Sequence, residues 1–185
     1  DHLSEAKIHE GRTYTLPAAT CAACGARMHL MAIYHFSAQV ISRRTGRSST
    51  AAAAYRAGEI VLDENTGEIH DYTRKRGVIR TEILAPRGSP AWVFDRSQLW
   101  SRVELGENRR DSQVCREIEI SIPHELTILQ GQLLMIGFVQ SQFVSKGMVA
   151  DIAFHRPGSK GDNRNFHAHI MLTMRKVDGE GFGQK

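Results

Sequence analysis

Near the C-terminal end of the 185-residue chain, the histidines His155, His167 and His169 are the side chains with the most chemistry to offer. His155 closes one apolar run, and His167 and His169 stand two apart at the start of the next. Side chains on a strand alternate between faces, so His167 and His169 lie opposite Phe166, Ala168, Ile170 and Leu172. In the preceding run Ile152 and Phe154 share one face, leaving Asp151 and His155 on the other. Glu117–Ile122 alternates too, with Ile118, Ile120 and Ile122 on one side and Glu117 and Glu119 on the other. If the apolar faces cover a single core, the imidazoles and carboxylates gather on the opposite face of one sheet. Neutral imidazoles suit a divalent metal, and three protein ligands leave positions open for water or substrate, which is the catalytic arrangement. Glu117 and Glu119 are then placed to orient a ligating histidine or to act as a general base. A solvated strand face is the alternative reading for both.

A nucleophile is harder to find. The chain has no Gly-x-Ser-x-Gly elbow and no Walker loop, and Cys115 has no activating neighbours. Tyr55 sits in an alanine-rich helical stretch between two basic runs. On pattern alone it reads as core packing, as do Tyr34 and Tyr72. Cys21-Ala-Ala-Cys24 is half of a zinc site, but no second cysteine pair follows, so it reads as thiols in an extension.

These groups need a scaffold. The composition is 41% hydrophobic and 24% charged, which excludes whole-chain disorder, collagen and coiled coil. No apolar run reaches the roughly 18–20 residues of a membrane span, no export signal is evident, and three cysteines make no disulfide framework. A reducing, cytoplasmic setting is expected. Residues 1–30 balance three acids with three bases, so the net charge of +4 arises in 31–185. It clusters in Arg43-Arg44 with Arg47 and in Arg74-Lys75-Arg76, which are candidate phosphate contacts.

The expected elements are a strand over 32–41, a helix capped at Ser48–Thr50 and stopped by Gly58, and a hairpin over 60–72. A strand over 78–84 and a helix carrying Trp92 through Leu105 follow. The alternating 117–122 strand precedes a helix opened by Thr127-Ile-Leu-Gln130, whose buried face is expected to hold Leu129, Leu133, Ile136, Val139 and Phe143. Two further strands cover 149–155 and 166–175. Strands and helices in this order predict an α+β fold, one antiparallel sheet with helices packed on one face. The compact domain is expected over 31–185, preceded by an extension over 1–30.

Six segments occur in an order that resembles a known family. They are Met31-Ala-Ile-Tyr-His-Phe-Ser37, the alanine-rich helix ending Ala-Ala-Tyr55-Arg56, and Asp71-Tyr-Thr-Arg-Lys75. Glu82-Ile-Leu-Ala-Pro86, Arg116-Glu-Ile-Glu-Ile-Ser-Ile-Pro123 and Phe166-His-Ala-His-Ile170 complete the set. Together they resemble the MobA/MobL family of plasmid mobilisation relaxases, including the N-terminal part of TraA-type conjugation proteins. The resemblance implies the relaxase, or HUH-endonuclease, fold and the nicking of one DNA strand at an origin of transfer. It places the catalytic tyrosine at Tyr55, the metal ligands at His155, His167 and His169, and the adjacent carboxylates at Glu117 and Glu119, with Glu119 the more direct participant. It also implies Mg²⁺ or Mn²⁺ as cofactor with Zn²⁺ able to bind in vitro. Single-stranded DNA is the implied substrate, with accessory relaxosome proteins and a secretion-system coupling protein as partners. A hydrolytic phosphoesterase forming no covalent adduct, or a metal-stabilised DNA-binding module, are the alternatives.

Overall fold

Alternating apolar residues in five strands, three central and two at the edges, build the sheet that organises the chain. The computed structural model describes residues 19–20, 27–28, 35–107, 109–158 and 162–183. A short pair, β1 (Ala19–Thr20) and β2 (Arg27–Met28), precedes β3 (Phe36–Ser42). Helix α1 (Ser49–Ala57), the hairpin β4 (Ile60–Leu62) and β5 (Ile69–Asp71), and β6 (Val78–Leu84) come next. Helix α2 (Arg96–Gly106), β7 (Gln113–Ser121), α3 (Ile128–Gln142), β8 (Ala150–His155) and β9 (His167–Thr173) follow, then the pair β10 (Val177–Asp178) and β11 (Gly181–Phe182). The central sheet runs in the order β3-β7-β9-β8-β6, every pairing antiparallel. The expected start of the first strand, the 1–30 extension and Cys21 and Cys24 fall wholly or largely outside the described residues. No described helix is long and apolar enough to cross a membrane.

The sheet is covered on both faces, not on one. On the first face Ile118, Ile152, Phe154, Ala168, Ile170 and Leu172 pack against Met135 and Val139 of α3. On the second, Ile41, Cys115 and Met171 pack against Ala53 of α1 and Leu99, Trp100 and Val103 of α2. The apolar stripes of α1 and α2 thus take half of the face on which only polar chemistry was expected. The other half is left to the histidines.

Helix α1 begins where expected, with the Ser48 hydroxyl accepting from the Ala51 amide, and Gly58 ends it in the left-handed region at φ 67°. Its N-terminus is also held from below. Buried Glu104 of α2 accepts from the Ser49 amide at 2.6 Å and the Ser49 hydroxyl at 2.7 Å. The same carboxylate accepts from the Arg43 Nε at 3.0 Å. The expected helix over Trp92–Leu105 is split: Ala91–Phe94 forms a 3₁₀ turn, and α2 starts anew after Asp95, whose carboxylate caps the Gln98 amide at 2.9 Å.

Helix α3 carries the predicted capping box, Thr127 with Gln130. Its buried face is Gly131, Gln132, Met135 and Val139, whereas Leu129 and Leu133 face solvent. The helix has no charged residue among its 15, so periodicity could not single out the core side. Close approach decided it: a Cβ on Gly131 would meet the Ile122 Cγ2 at 2.5 Å.

Candidate metal centre and nucleophile

The antiparallel ladder sets the imidazole spacing. His155, the last residue of β8, is directly paired with His167, the first of β9, and His169 follows two residues on along the same face. Ring centroids lie 4.8 Å apart for His155 and His169, 5.1 Å for His167 and His169, and 5.4 Å for His155 and His167. One nitrogen from each ring lies within 4.8 Å of the others, close enough to share one ion.

The second nitrogen of each ring is held by an acceptor, which settles the tautomers. His155 donates from Nε2 to the Arg56 carbonyl at 2.7 Å. His167 donates from Nδ1 to the Asn165 carbonyl at 3.1 Å, and His169 from Nδ1 to Glu117 Oε1 at 3.2 Å. The lone pairs left over are His155 Nδ1, His167 Nε2 and His169 Nε2. Such outer hydrogen bonds are how proteins orient metal-binding imidazoles. Burial pushes the His155 ring down to about 3, assisted by the positive charges at Lys75 and at the other two histidines and resisted by the bond to Arg56. Burial lowers His167 as well. His155 and His167 are thereby biased to the neutral form that offers a lone pair to a cation, and the three-imidazole donor set fits a divalent metal.

Glu117, at 2% exposure, is the carboxylate in closest contact with this cluster. Besides His169 it accepts from the Arg56 Nε, and Gln39 Nε2 donates to its other oxygen at 2.6 Å. Burial would raise its pKa, but the hydrogen bonds from His169 and Arg56 and their charges win, and it is held at about 2. Glu119 sits farther out, 3.9 Å from His169 Nδ1 and one-third exposed. The geometry thus favours Glu117 over Glu119 as the histidine's partner, although Glu119 is the residue directly across the ladder from His169. Asp151 is drawn away altogether: buried under α2, it accepts from Arg96 Nε and Nη2 at 2.8 Å each and from Trp100 Nε1 at 2.9 Å.

Tyr55 is exposed on the last turns of α1, not packed in the core. Its ring meets Tyr72 edge-on at 5.3 Å, and the Lys75 ammonium stands 3.8 Å from its centroid while donating to the Tyr55 carbonyl at 2.6 Å. Burial, with Arg56 nearby, lowers Lys75 to about 8, Glu117 opposing. Tyr55 is tied to the histidines through the next residue, Arg56, whose carbonyl takes His155 and whose side chain takes Glu117. Sequence reasoning missed Arg56 and Gln39. The signal for Arg56 was its place in the Tyr-Arg pair; Gln39 left none.

The expected DNA-contacting residues divide. Arg44, Arg74 and Arg76 are exposed, and Arg47 is exposed beside Gln39, to which its Nη1 donates at 3.1 Å. Lys75 is turned onto Tyr55. Arg43 is turned into the fold, where it pairs with Glu104 and donates to the Glu104 and Glu107 carbonyls.

The model of the MobA/MobL family matches residues 47–185. The chain belongs to this family. It is 42% identical over 172 residues to mobilization protein MobL of Acidithiobacillus ferridurans, covering 82% of this chain and 45% of that protein. It is 40% identical over 166 residues to conjugal transfer protein TraA of Rhizobium radiobacter, covering 84% of this chain and 14% of TraA. The chain therefore spans less than half the length of either relative. A solved structure reported as the molecular basis of vancomycin resistance transfer in Staphylococcus aureus superposes with a TM-score of 0.75 at 34% identity, covering 83% of this chain and 77% of that one. The α+β relaxase fold expected of a MobA/MobL protein is the fold of this chain.

Proposed function

We propose that this MobA/MobL domain cuts one strand of DNA at an origin of transfer by transesterification, beginning conjugative transfer and rejoining the strand at its end. The observation that carries this reading is the hydrogen bond from His155 to the carbonyl of Arg56, the residue after an exposed tyrosine. It joins a three-imidazole cation site to a nucleophile-bearing helix. The names of the relatives, mobilization protein and conjugal transfer protein, agree with it.

In this mechanism the Tyr55 oxygen attacks the scissile phosphorus, and its proton leaves to solvent as the O–P bond forms. The bond from phosphorus to the 3′-oxygen breaks and that oxygen takes a proton from solvent, leaving a free 3′-hydroxyl and a 5′-phosphotyrosyl strand. The Lys75 ammonium over the ring favours the negative charge that develops on the attacking phenol. His155, His167 and His169 would hold a divalent ion, Mg²⁺ or Mn²⁺, which when bound neutralises charge on the phosphate oxygens. Glu117 keeps His169 in the tautomer that offers Nε2, and Arg44, Arg74 and Arg76 contact phosphates along the strand. Glu119, half-buried at the rim of the cluster, is left to act on water or on the leaving group. Accessory relaxosome proteins and a coupling protein of a secretion system are the partners of this reading.

The test is to incubate the protein with single-stranded transfer-origin oligonucleotides and Mn²⁺, separate products on a denaturing gel, and map adducts by peptide mass spectrometry. An adduct on Tyr55, absent from Tyr55→Phe while DNA affinity persists, is expected. Cleavage with no adduct would replace the reading with a hydrolytic phosphoesterase. Metal-dependent folding with no cleavage would replace it with a binding module.

A further inference from the structure

A groove of about 300 Å³ opens beside Tyr55, between α1 and the edge strand β3. Its size is at the lower end of small-ligand cavities, roughly 300–1,000 Å³, so it suits one nucleotide and not a longer stretch. Small side chains make the space. Of the alanine run, Ala53 and Ala54 are buried in the core, whereas Ala51 and Ala52 line the groove together with Ile41. A large side chain at Ala51 would narrow it.

The polar groups of the groove are prearranged. Buried Glu117 accepts from Gln39 Nε2 at 2.6 Å, which turns the Gln39 carbonyl oxygen outward to accept from Arg47 Nη1 at 3.1 Å. That chain pins one arm of the Arg47 guanidinium and leaves Nε and Nη2 without a protein partner among the described residues. Glu117 at the inner end of the groove is paired with Arg56, which leaves no net positive charge there to hold a phosphate, while Ala51 and Ala52 offer an apolar surface to the flat face of a base. A guanidinium with two adjacent free N–H groups matches the paired acceptors O6 and N7 of guanine.

We propose that this groove is a base-reading subsite: it holds one nucleotide next to the phosphate that Tyr55 attacks, and Arg47 selects guanine there. The proposal rests on the reading that single-stranded DNA is the substrate, and it adds a residue that determines which sequence is cut. Arg47 acts on the base edge, unlike the arginines that meet phosphates alone.

The test is selection from a randomised pool of single-stranded oligonucleotides by the full chain carrying Tyr55→Phe, which binds without reacting, followed by sequencing of the bound fraction. Guanine enriched on the order of ten-fold at one position is expected. The same selection with Arg47→Ala added should flatten that position and leave preferences elsewhere intact. Arg47→Lys should restore affinity without restoring the preference, because an ammonium lacks the planar fork. Ala51→Leu should lose the same preference by narrowing the groove, with its thermal midpoint checked in parallel; Arg47 is exposed, so its variants keep the test decisive if Ala51→Leu does not fold. A profile with no guanine position, or one unchanged by Arg47→Ala, overturns the proposal. The adduct assay on the wild-type chain is scored separately: guanine selection without a Tyr55 adduct would keep the subsite and discard the transesterification.

Discussion

His155 donates from its Nε2 to the main-chain carbonyl of Arg56 at 2.7 Å. The bond crosses from the sheet to α1 and connects residues 99 positions apart. It serves two groups at once, fixing the His155 tautomer and anchoring the last turn of the helix that presents Tyr55. An acceptor in the backbone cannot be removed by changing a side chain, so the tie between the histidine cluster and the Tyr55 helix depends on the path of that helix.

Glu117→Gln should weaken Mn²⁺ binding by about 10–100-fold, the usual range for losing the partner of a ligating histidine. Glu119→Gln should have a far smaller effect, because that carboxylate stands 3.9 Å off and is partly solvated. Isothermal titration with Mn²⁺ on both variants checks the order. A larger loss in Glu119→Gln would reassign the histidine's partner.

Arg43→Ala should lower stability by roughly 1–3 kcal/mol, because Glu104 would lose one of the donors that satisfy it beneath α1. Arg74→Ala should change stability by no more than about 0.5 kcal/mol, since that residue is exposed. It should instead reduce the slope of log affinity for single-stranded DNA against log salt by about 1. Urea unfolding paired with anisotropy titrations at several salt concentrations separates the two arginines.

Acid should destabilise the metal-free protein. His155 is held at about 3 against an ordinary 6.5, so between those values the unfolded chain carries a proton that the folded chain lacks. Stability therefore falls as the pH drops through that window. Glu117 contributes with the same sign lower down, its contribution present above its ordinary 4.5 and lost as the pH falls toward about 2. The urea midpoint should be lower at pH 5 than at pH 7.5, and His155→Gln should shrink the difference. An equal midpoint at both pH values would contradict the buried neutral ring.

Gly131→Ala should cost about 1–3 kcal/mol despite raising helix propensity, because the added methyl overlaps Ile122. Ile122→Leu, whose Cβ carries one carbon instead of two and so lacks the Cγ2 methyl that the new Cβ meets, should recover part of the loss in the double variant. Thermal melts of the three variants measure the coupling.

The parts of this molecule legible in the sequence are those written in a single period. The alternation in β7, β8 and β9 placed the histidines and both glutamates on one face, and the Ser48 cap and Gly58 stop bounded α1. Other features leave no such trace. Helix α3 is apolar on nearly every side, so its core face was chosen by the approach of Ile122, a tertiary fact. Arg43 and Arg44 are adjacent and chemically identical, and acceptors 61 and 64 residues on, at Glu104 and Glu107, turn the first inward. The Tyr55 helix reaches the histidines through a carbonyl, and every residue has one.

The in-register pairing of His155 with His167 has a consequence for engineering. Because the ladder sets their separation, the connection ahead of Asn165, whose carbonyl holds His167, need not measure it. An insertion there, whether a peptide tag, a fluorophore-bearing cysteine or a whole guest domain, is therefore expected to leave the histidine spacing unchanged. Lengthening α1 by a single residue would have the opposite effect, rotating Tyr55 about 100° away from the face it now occupies.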